Sequence, residues 1–197
     1  MYRKYKKEEF YTLKAREEGY PARSVYKLQE IDEKYKIFQK GDRVLDLGCA
    51  PGSWLKYISE KIGENGRVVG IDNTDLKIKL EKNAVFIKKN ILDSDIIASK
   101  ELQKKFQAVV ADLAPRTSGI KSADSINSSL LADQALTFAK LVLLPRGDFV
   151  CKVLEGELTD KFFKETAQNF KFAKRFRPRA VSKESREIYI IGKGYKV

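Results

Sequence analysis

The sequence predicts an α/β protein with a Rossmann-like architecture: a mainly parallel sheet, helices on both faces, and an antiparallel strand at its edge. Three observations carry this. Short apolar, β-branched runs recur at Arg43–Leu47, Arg67–Asp72, Ala84–Lys88, Ala108–Asp112, Asp148–Leu154 and Glu187–Gly192, each with the length and make-up of a buried strand. Helical segments fall between several of them, an alternation that implies right-handed crossovers and a parallel sheet. The 197 residues suit one compact unit, so residues 1–197 read as a single domain.

Residues 1–30 are charged and tyrosine-rich, with helical spacing over Ser24–Ile31, and read as a basic N-terminal helical extension ahead of the sheet. Ser53–Ile62 follows the first strand and opens on a serine. Ser125–Leu144 opens after an Asp-Ser pair and carries Leu131, Ala135, Phe138 and Val142 at steps of four, three and four, a stripe that faces a core. Phe170–Pro178 and Glu187–Gly192 are expected to pair antiparallel at the edge of the sheet.

Composition excludes several kinds of chemistry. With no histidine, Ser-His-Asp and Cys-His mechanisms and two-His metal centres are ruled out. Cys49 and Cys151 stand far apart with no companion at zinc-like spacing, so buried thiols are expected, not a metal site or a disulfide framework. No apolar run approaches the roughly 20 residues that span a bilayer, which points to a cytoplasmic protein. A net charge of +12 suggests a polyanionic partner, nucleic acid above all. The charge is concentrated: Lys171, Lys174, Arg175, Arg177, Arg179, Lys183 and Arg186 interleave with Phe170, Phe172 and Phe176 and face only Glu184. The N-terminal arm adds Arg3, Lys4, Lys6, Lys7, Lys14, Arg16 and Arg23, diluted by glutamates. Together the two basic ends could flank one groove.

The strand-to-helix turn Val44-Leu45-Asp46-Leu47-Gly48-Cys49-Ala50-Pro51-Gly52-Ser53-Trp54 is where an open α/β sheet collects loop N–H groups and a helix N-terminus for a ligand. Gly48 and Gly52 would let the backbone approach that ligand closely. The pattern is G-x-x-x-G, not the G-x-G-x-x-G of a dinucleotide site, which disfavours a nicotinamide dehydrogenase. Asp72 ends the second strand about 20 residues on, where an acidic side chain accepts ribose hydroxyls. A nucleoside without a pyrophosphate fits both facts, and S-adenosylmethionine is such a ligand.

The sequence resembles the FtsJ (RrmJ, RlmE-type) family of ribosomal RNA large-subunit methyltransferases over nearly its whole length. The resemblance rests on Ala22-Arg23-Ser24-Val25-Tyr26-Lys27-Leu28, on the turn from Asp46 to Trp54, on Asp112-Leu113-Ala114-Pro115, Cys151-Lys152-Val153 and Ser185-Arg186-Glu187-Ile188-Tyr189. It implies S-adenosyl-L-methionine as cofactor and methylation of a ribose 2′-hydroxyl, that of a uridine, in large-subunit ribosomal RNA. It places the family's catalytic Lys-Asp-Lys-Glu tetrad on Lys27, Asp112, Lys152 and Glu187, with Lys152 contacting the hydroxyl as base or as its orienting group. It places cofactor contacts on Gly52, Trp54, Asp72 and Asp112, and on Asn90 where the family has Asp, with Asp93 as the alternative. Arg116 and Glu155 stand where the family usually has Asn and Gln. The resemblance further implies a monomer that needs no metal and docks on RNA within the ribosomal subunit. A transfer-RNA 2′-O-methyltransferase of the same superfamily and a non-catalytic RNA-binding relative are the competing readings.

Overall fold

The computed structural model describes residues 2–93, 95–115 and 118–196, with side chains from residue 8 onward. Arg116, and the side chains of Arg3, Lys4, Lys6 and Lys7, lie outside the described residues. Helices α1 (Tyr2–Glu17) and α2 (Val25–Tyr35) precede β1 (Arg43–Leu47), α3 (Ser53–Ile62), β2 (Arg67–Asp72) and β3 (Ala84–Lys88). Then come β4 (Phe106–Ala111), α4 (Lys121–Val142), β5 (Leu143–Leu154), α5 (Thr159–Asn169), β6 (Phe170–Phe176) and β7 (Glu187–Tyr195). The seven strands form one sheet in the order β3-β2-β1-β4-β5-β7-β6. The pairs from β3 through β5 are parallel, and β7 runs antiparallel to both β5 and β6. The reversed strand therefore lies one position in from the edge. Strand order reverses between β1 and β4, which opens a crevice at their carboxyl ends.

Strands alternate their side chains between faces, and the two faces carry two cores. Leu45, Leu47, Val69, Val109, Phe149, Cys151 and Ile190 pack beneath α4 and α5. Val44, Val68, Val110, Val150, Tyr189 and Ile191 pack with residues of α2 and α3. Each fully buried aliphatic or aromatic side chain in these layers contributes roughly 1.5–3 kcal/mol. Both cysteines are free and buried, and burial pushes both thiols well above their ordinary range.

The first three strands and α3 occupy the expected residues. β7 runs three residues past its expected end, β6 stops two residues short, and α2 spans Val25–Tyr35 where Ser24–Ile31 was expected; four other elements differ for local reasons. β4 begins at Phe106 and ends at Ala111, so Asp112 stands just past the strand with its N–H on the Leu47 carbonyl at 3.1 Å. β5 starts at Leu143, because Phe106 pairs with Leu143 and Ala108 with Asp148; the residues between bulge out, with Arg146 at φ 67°. α4 begins at Lys121. The Asp124 carboxylate reaches back to accept the Ser118 N–H at 2.7 Å and hydroxyl at 2.9 Å, tying the preceding loop to the first turn of a helix already begun. α5 has no counterpart in the expected elements, since Phe162, Phe163 and Thr166 make too sparse a stripe to stand out.

Candidate active site

The turn after β1 is shaped by packing against its own neighbours. Gly48 has φ 78° and Gly52 φ 111°. A Cβ on Gly48 would meet the Leu113 side chain at 2.9 Å, and one on Gly52 would meet Ile78 at 2.6 Å. The space beside each glycine is thus filled by protein, so close packing and left-handed backbone, not approach of a ligand to the missing side chains, demand glycine there. Ser53 does not cap α3: its hydroxyl accepts the Ala22 N–H at 2.8 Å and donates to the Ala22 carbonyl at 3.0 Å, stitching the extension to the turn.

Trp54 is buried, its indole N–H donates to the Ser24 carbonyl at 2.9 Å, and its ring lies 5.9 Å from that of Tyr189. What it can offer a ligand is its backbone N–H in the first turn of α3, one of the groups a helix leaves unpaired. Asp72 accepts the Ala50 N–H at 3.0 Å and the Thr74 N–H at 2.8 Å, one on each carboxylate oxygen. Each oxygen keeps lone-pair capacity for a ribose hydroxyl. Asn90 and Asp93 share one turn: the Asp93 carboxylate accepts the Asn90 N–H at 3.0 Å, and the Asn90 side-chain Oδ1 accepts the Leu92 N–H at 3.0 Å. The Lys89 N–H beside them donates to the Asp72 carbonyl at 3.0 Å, so both residues stand at the β2–β3 end of the crevice. The Asn90 side-chain NH₂ is a donor suited to an adenine ring nitrogen. Paired ribose acceptors, an amide turn and helix N–H groups fit an adenosine-bearing cofactor.

The second part of the site grows out of the face that packs on α2 and α3. Along that face Val44 is followed by Asp46 in β1, Ala108 and Val110 by Asp112 after β4, Val150 by Lys152 in β5, and Tyr189 by Glu187 in reversed β7. The apolar column of each strand ends in an ionisable side chain. Lys27, in the first turn of α2, closes the cluster from above. Lys152 Nζ lies 3.1 Å from Asp112 Oδ1 and donates to the Asp112 main-chain carbonyl at 2.8 Å. Lys27 Nζ lies 2.6 Å from Glu187 Oε1. The side chains of Lys27, Asp112, Lys152 and Glu187 are 16%, 16%, 9% and 13% exposed, so the structure gathers all four residues of the expected tetrad into one nearly buried group. Two ammoniums offset two carboxylates, the condition under which such burial is tolerable.

Two residues of this face had been given no role. Tyr189 Oη lies 2.7 Å from Glu187 Oε1 and 3.0 Å from Asp112 Oδ1. It is two residues from Glu187 in one strand, and that period-2 spacing was the signal that they share a face. Asp46 pairs in register with Val110, which in turn pairs with Val150, so it sits one layer below Asp112 and Lys152. It is wholly buried, and neither carboxylate oxygen has a hydrogen-bond partner among the described residues. Burial, with Asp112 and Asp72 nearby, holds its carboxyl well above the usual range. A carboxyl so placed is pushed toward its protonated form.

The basic segment between 171 and 186 is only partly free. Phe170 is core, stacked on Phe149 at 5.9 Å; Phe176 packs on Tyr35; Phe172 is 46% exposed. Arg175 pairs with Asp160 at 2.6 Å, and Arg177 donates to the carbonyls of Ser182, Ser185 and Glu187, which folds the loop before β7. The Arg179 and Ala180 N–H groups donate to the Glu30 carboxylate at 2.7 and 3.0 Å, pinning that loop to α2 beside Lys27. Glu155 has its N–H on the Arg186 carbonyl at 2.8 Å and its carboxylate 4.0 Å from Arg177. No helix among the described residues is long and apolar enough to cross a membrane.

The family model for FtsJ-like methyltransferases matches residues 20–195. A ribosomal RNA large subunit methyltransferase E from Desulfatibacillum aliphaticivorans is 44% identical over 182 residues, covering 92% of this chain and 88% of the relative. Another from Desulforapulum autotrophicum is 42% identical over 186 residues, covering 94% and 92%. Among solved structures, a Plasmodium falciparum protein described as a ribosomal RNA methyltransferase aligns with a TM-score of 0.78 at 29% identity, covering 89% of this chain and 98% of that one.

Proposed function

This chain belongs to the FtsJ-like methyltransferase family, and from that premise we propose that it transfers a methyl group from S-adenosylmethionine to the 2′-hydroxyl of a uridine in large-subunit ribosomal RNA. The observation that supports this reading most is the convergence of Lys27, Asp112, Lys152 and Glu187, from four separate elements, at the crevice where a nucleoside cofactor would lie. The whole chain acts as one catalytic domain, with residues 1–30 as an extension, and works in the cytoplasm as a monomer docked on the ribosomal subunit. Its charge of +12 supplies affinity for the phosphate backbone without reading sequence.

Bound S-adenosylmethionine would supply a methyl already activated by its sulfonium, with a neutral thioether as leaving group. The protein's task is to align the ribose oxygen and take one proton, work for positioning and general-base help. Lys152 Nζ has two acceptors on Asp112, Oδ1 at 3.1 Å and the main-chain carbonyl at 2.8 Å. Only in its neutral form can Lys152 act as base: with two N–H groups on those atoms, the amine keeps its lone pair for the hydroxyl, whose proton it accepts as the O–C bond forms and the methyl C–S bond breaks. Asp112 fixes that direction, Glu187 holds Lys27, and Lys27 balances the charge beside the ribose. Asp72 holds the cofactor ribose, while Gly52, Trp54 and Asn90 contribute backbone and amide contacts.

The test is transfer of labelled methyl to isolated large ribosomal subunits and, separately, to bulk transfer RNA. Label in alkali-resistant dinucleotides of ribosomal RNA supports the reading. Label on transfer RNA alone moves the assignment to the transfer-RNA enzymes, and no label on either removes both substrates.

A further inference from the structure

We propose that Tyr189 is a positioning residue of the methyl-transfer site: its hydroxyl ties the Asp112–Lys152 pair to the Glu187–Lys27 pair, so that four charges hold one arrangement. This rests on the proposed role of the tetrad. The contacts run without a break from Lys27 Nζ to Glu187 Oε1 at 2.6 Å, to Tyr189 Oη at 2.7 Å, to Asp112 Oδ1 at 3.0 Å and to Lys152 Nζ at 3.1 Å. No direct contact joins the two ion pairs among the described residues; the phenol is the link.

A phenol has one proton and two carboxylates compete for it. The shorter contact gives Glu187 the larger share, and the hydroxyl oxygen separates two anions that would otherwise face each other. Tyr189 can do this because nothing else about it is free to move. It is wholly buried, its ring packs on Trp54, and it lies in register beside Lys152 across the β5–β7 pair. The ionisable groups around it are Asp112 after β4, Glu187 on its own strand, Lys152 from β5, Lys27 from α2, and the buried carboxyl of Asp46 one layer below. Burial and the two carboxylates raise the phenol well above its ordinary range, so it remains a donor wherever the protein is folded.

Tyr189→Phe keeps the ring and removes only the hydroxyl. The expected result is a fall in kcat of about tenfold or more, on the scale of a small misplacement at a reacting centre, with KM for S-adenosylmethionine and for ribosomal subunits within about twofold of wild type. The acid limb of the pH profile of kcat should move to higher pH, because removing the phenol's proton leaves more uncompensated negative charge around the group that takes the ribose proton. If the Phe variant does not fold, 3-fluorotyrosine at 189 serves instead: a stronger donor, it should move the acid limb to lower pH. Lys152→Met is run alongside. If Lys152→Met is inactive while Tyr189→Phe keeps wild-type kcat and pH profile, the positioning role is overturned and the tetrad stands. A Lys152→Met variant that turns over like wild type overturns the tetrad reading beneath it. A Tyr189→Phe loss that appears only as lower Tm and raised KM shows packing alone and also overturns the proposal.

Discussion

Asp46 in β1 and Asp112 just past β4 lie on the same sheet face, one layer apart, and the protein treats them in opposite ways. On the floor of the crevice Asp46 stands in register between Gly70 and Val110 and has no hydrogen-bond partner among the described residues. At the rim Asp112 meets an ammonium, a phenol and, through its own carbonyl, the same ammonium again. The floor pushes its carboxyl toward the protonated form, and the rim surrounds its own with partners. Only the rim can change charge distribution during a reaction, because only there is each charge matched by another that can respond.

The sharpest way to break this comparison is to remove each carboxyl in turn. Asp112→Ala leaves Lys152 buried without its counter-charge, and stability should fall by about 3 kcal/mol or more in a denaturant titration, with methyl transfer lost. Asp46→Ala removes a carboxyl that has no hydrogen-bond partner among the described residues and should cost much less; an equal loss for both would mean that the two layers do not differ as described. Next in size is Asp72→Ala, which should weaken S-adenosylmethionine binding about ten- to a hundredfold by calorimetry, the scale of lost hydrogen bonds to a charged acceptor. Its kcat at saturating cofactor should change far less than that of any rim variant. Gly52→Ala places a Cβ at φ 111° against Ile78 and should lower stability by about 1–3 kcal/mol, read as a lower Tm.

The smallest effect concerns pH. Because the folded Asp46 carboxyl is raised and the unfolded one is not, the native state binds more protons between those two values, and this residue's contribution to stability falls as pH rises through that window. Asp46→Asn stays neutral at every pH. The Tm of wild type relative to Asp46→Asn should therefore drop as pH rises above the ordinary carboxylate range, and a constant difference would show that the folded Asp46 carboxyl is not raised.

The floor and rim also differ in how legible they were. β1, β2 and β3 were readable residue by residue because each is a short apolar run ended by a glycine turn or a charge. The start of β5 was not, because Pro145-Arg146-Gly147 has the chemistry of a chain break and the structure uses it as a bulge inside a strand. α5 was missed because a helix that buries only Phe162 and Thr166 beyond its first residue leaves too faint a period. Lys27, Asp112, Lys152 and Glu187 were named through resemblance, and the strand alternation explains why they meet: each ends an apolar column of one face or packs over it. Tyr189 lay within a recognised block, yet its role depends on two oxygen contacts, one to a residue 77 positions away, which no local pattern encodes. Asp46 went unremarked because a carboxyl at a strand end looks solvated until the register places it one layer down. The aromatics of the basic segment misled in the opposite sense, since Phe170 and Phe176 serve the core and its edge.

The most direct test of the account is Lys152→Met, which keeps the buried stem and deletes the amine, compared with wild type for cofactor binding by calorimetry and for labelled methyl transfer to large ribosomal subunits. The account predicts S-adenosylmethionine affinity within a few-fold of wild type and transfer reduced by about a hundredfold to ten-thousandfold. Transfer near the wild-type rate, with the variant folded and loaded with cofactor, would contradict it.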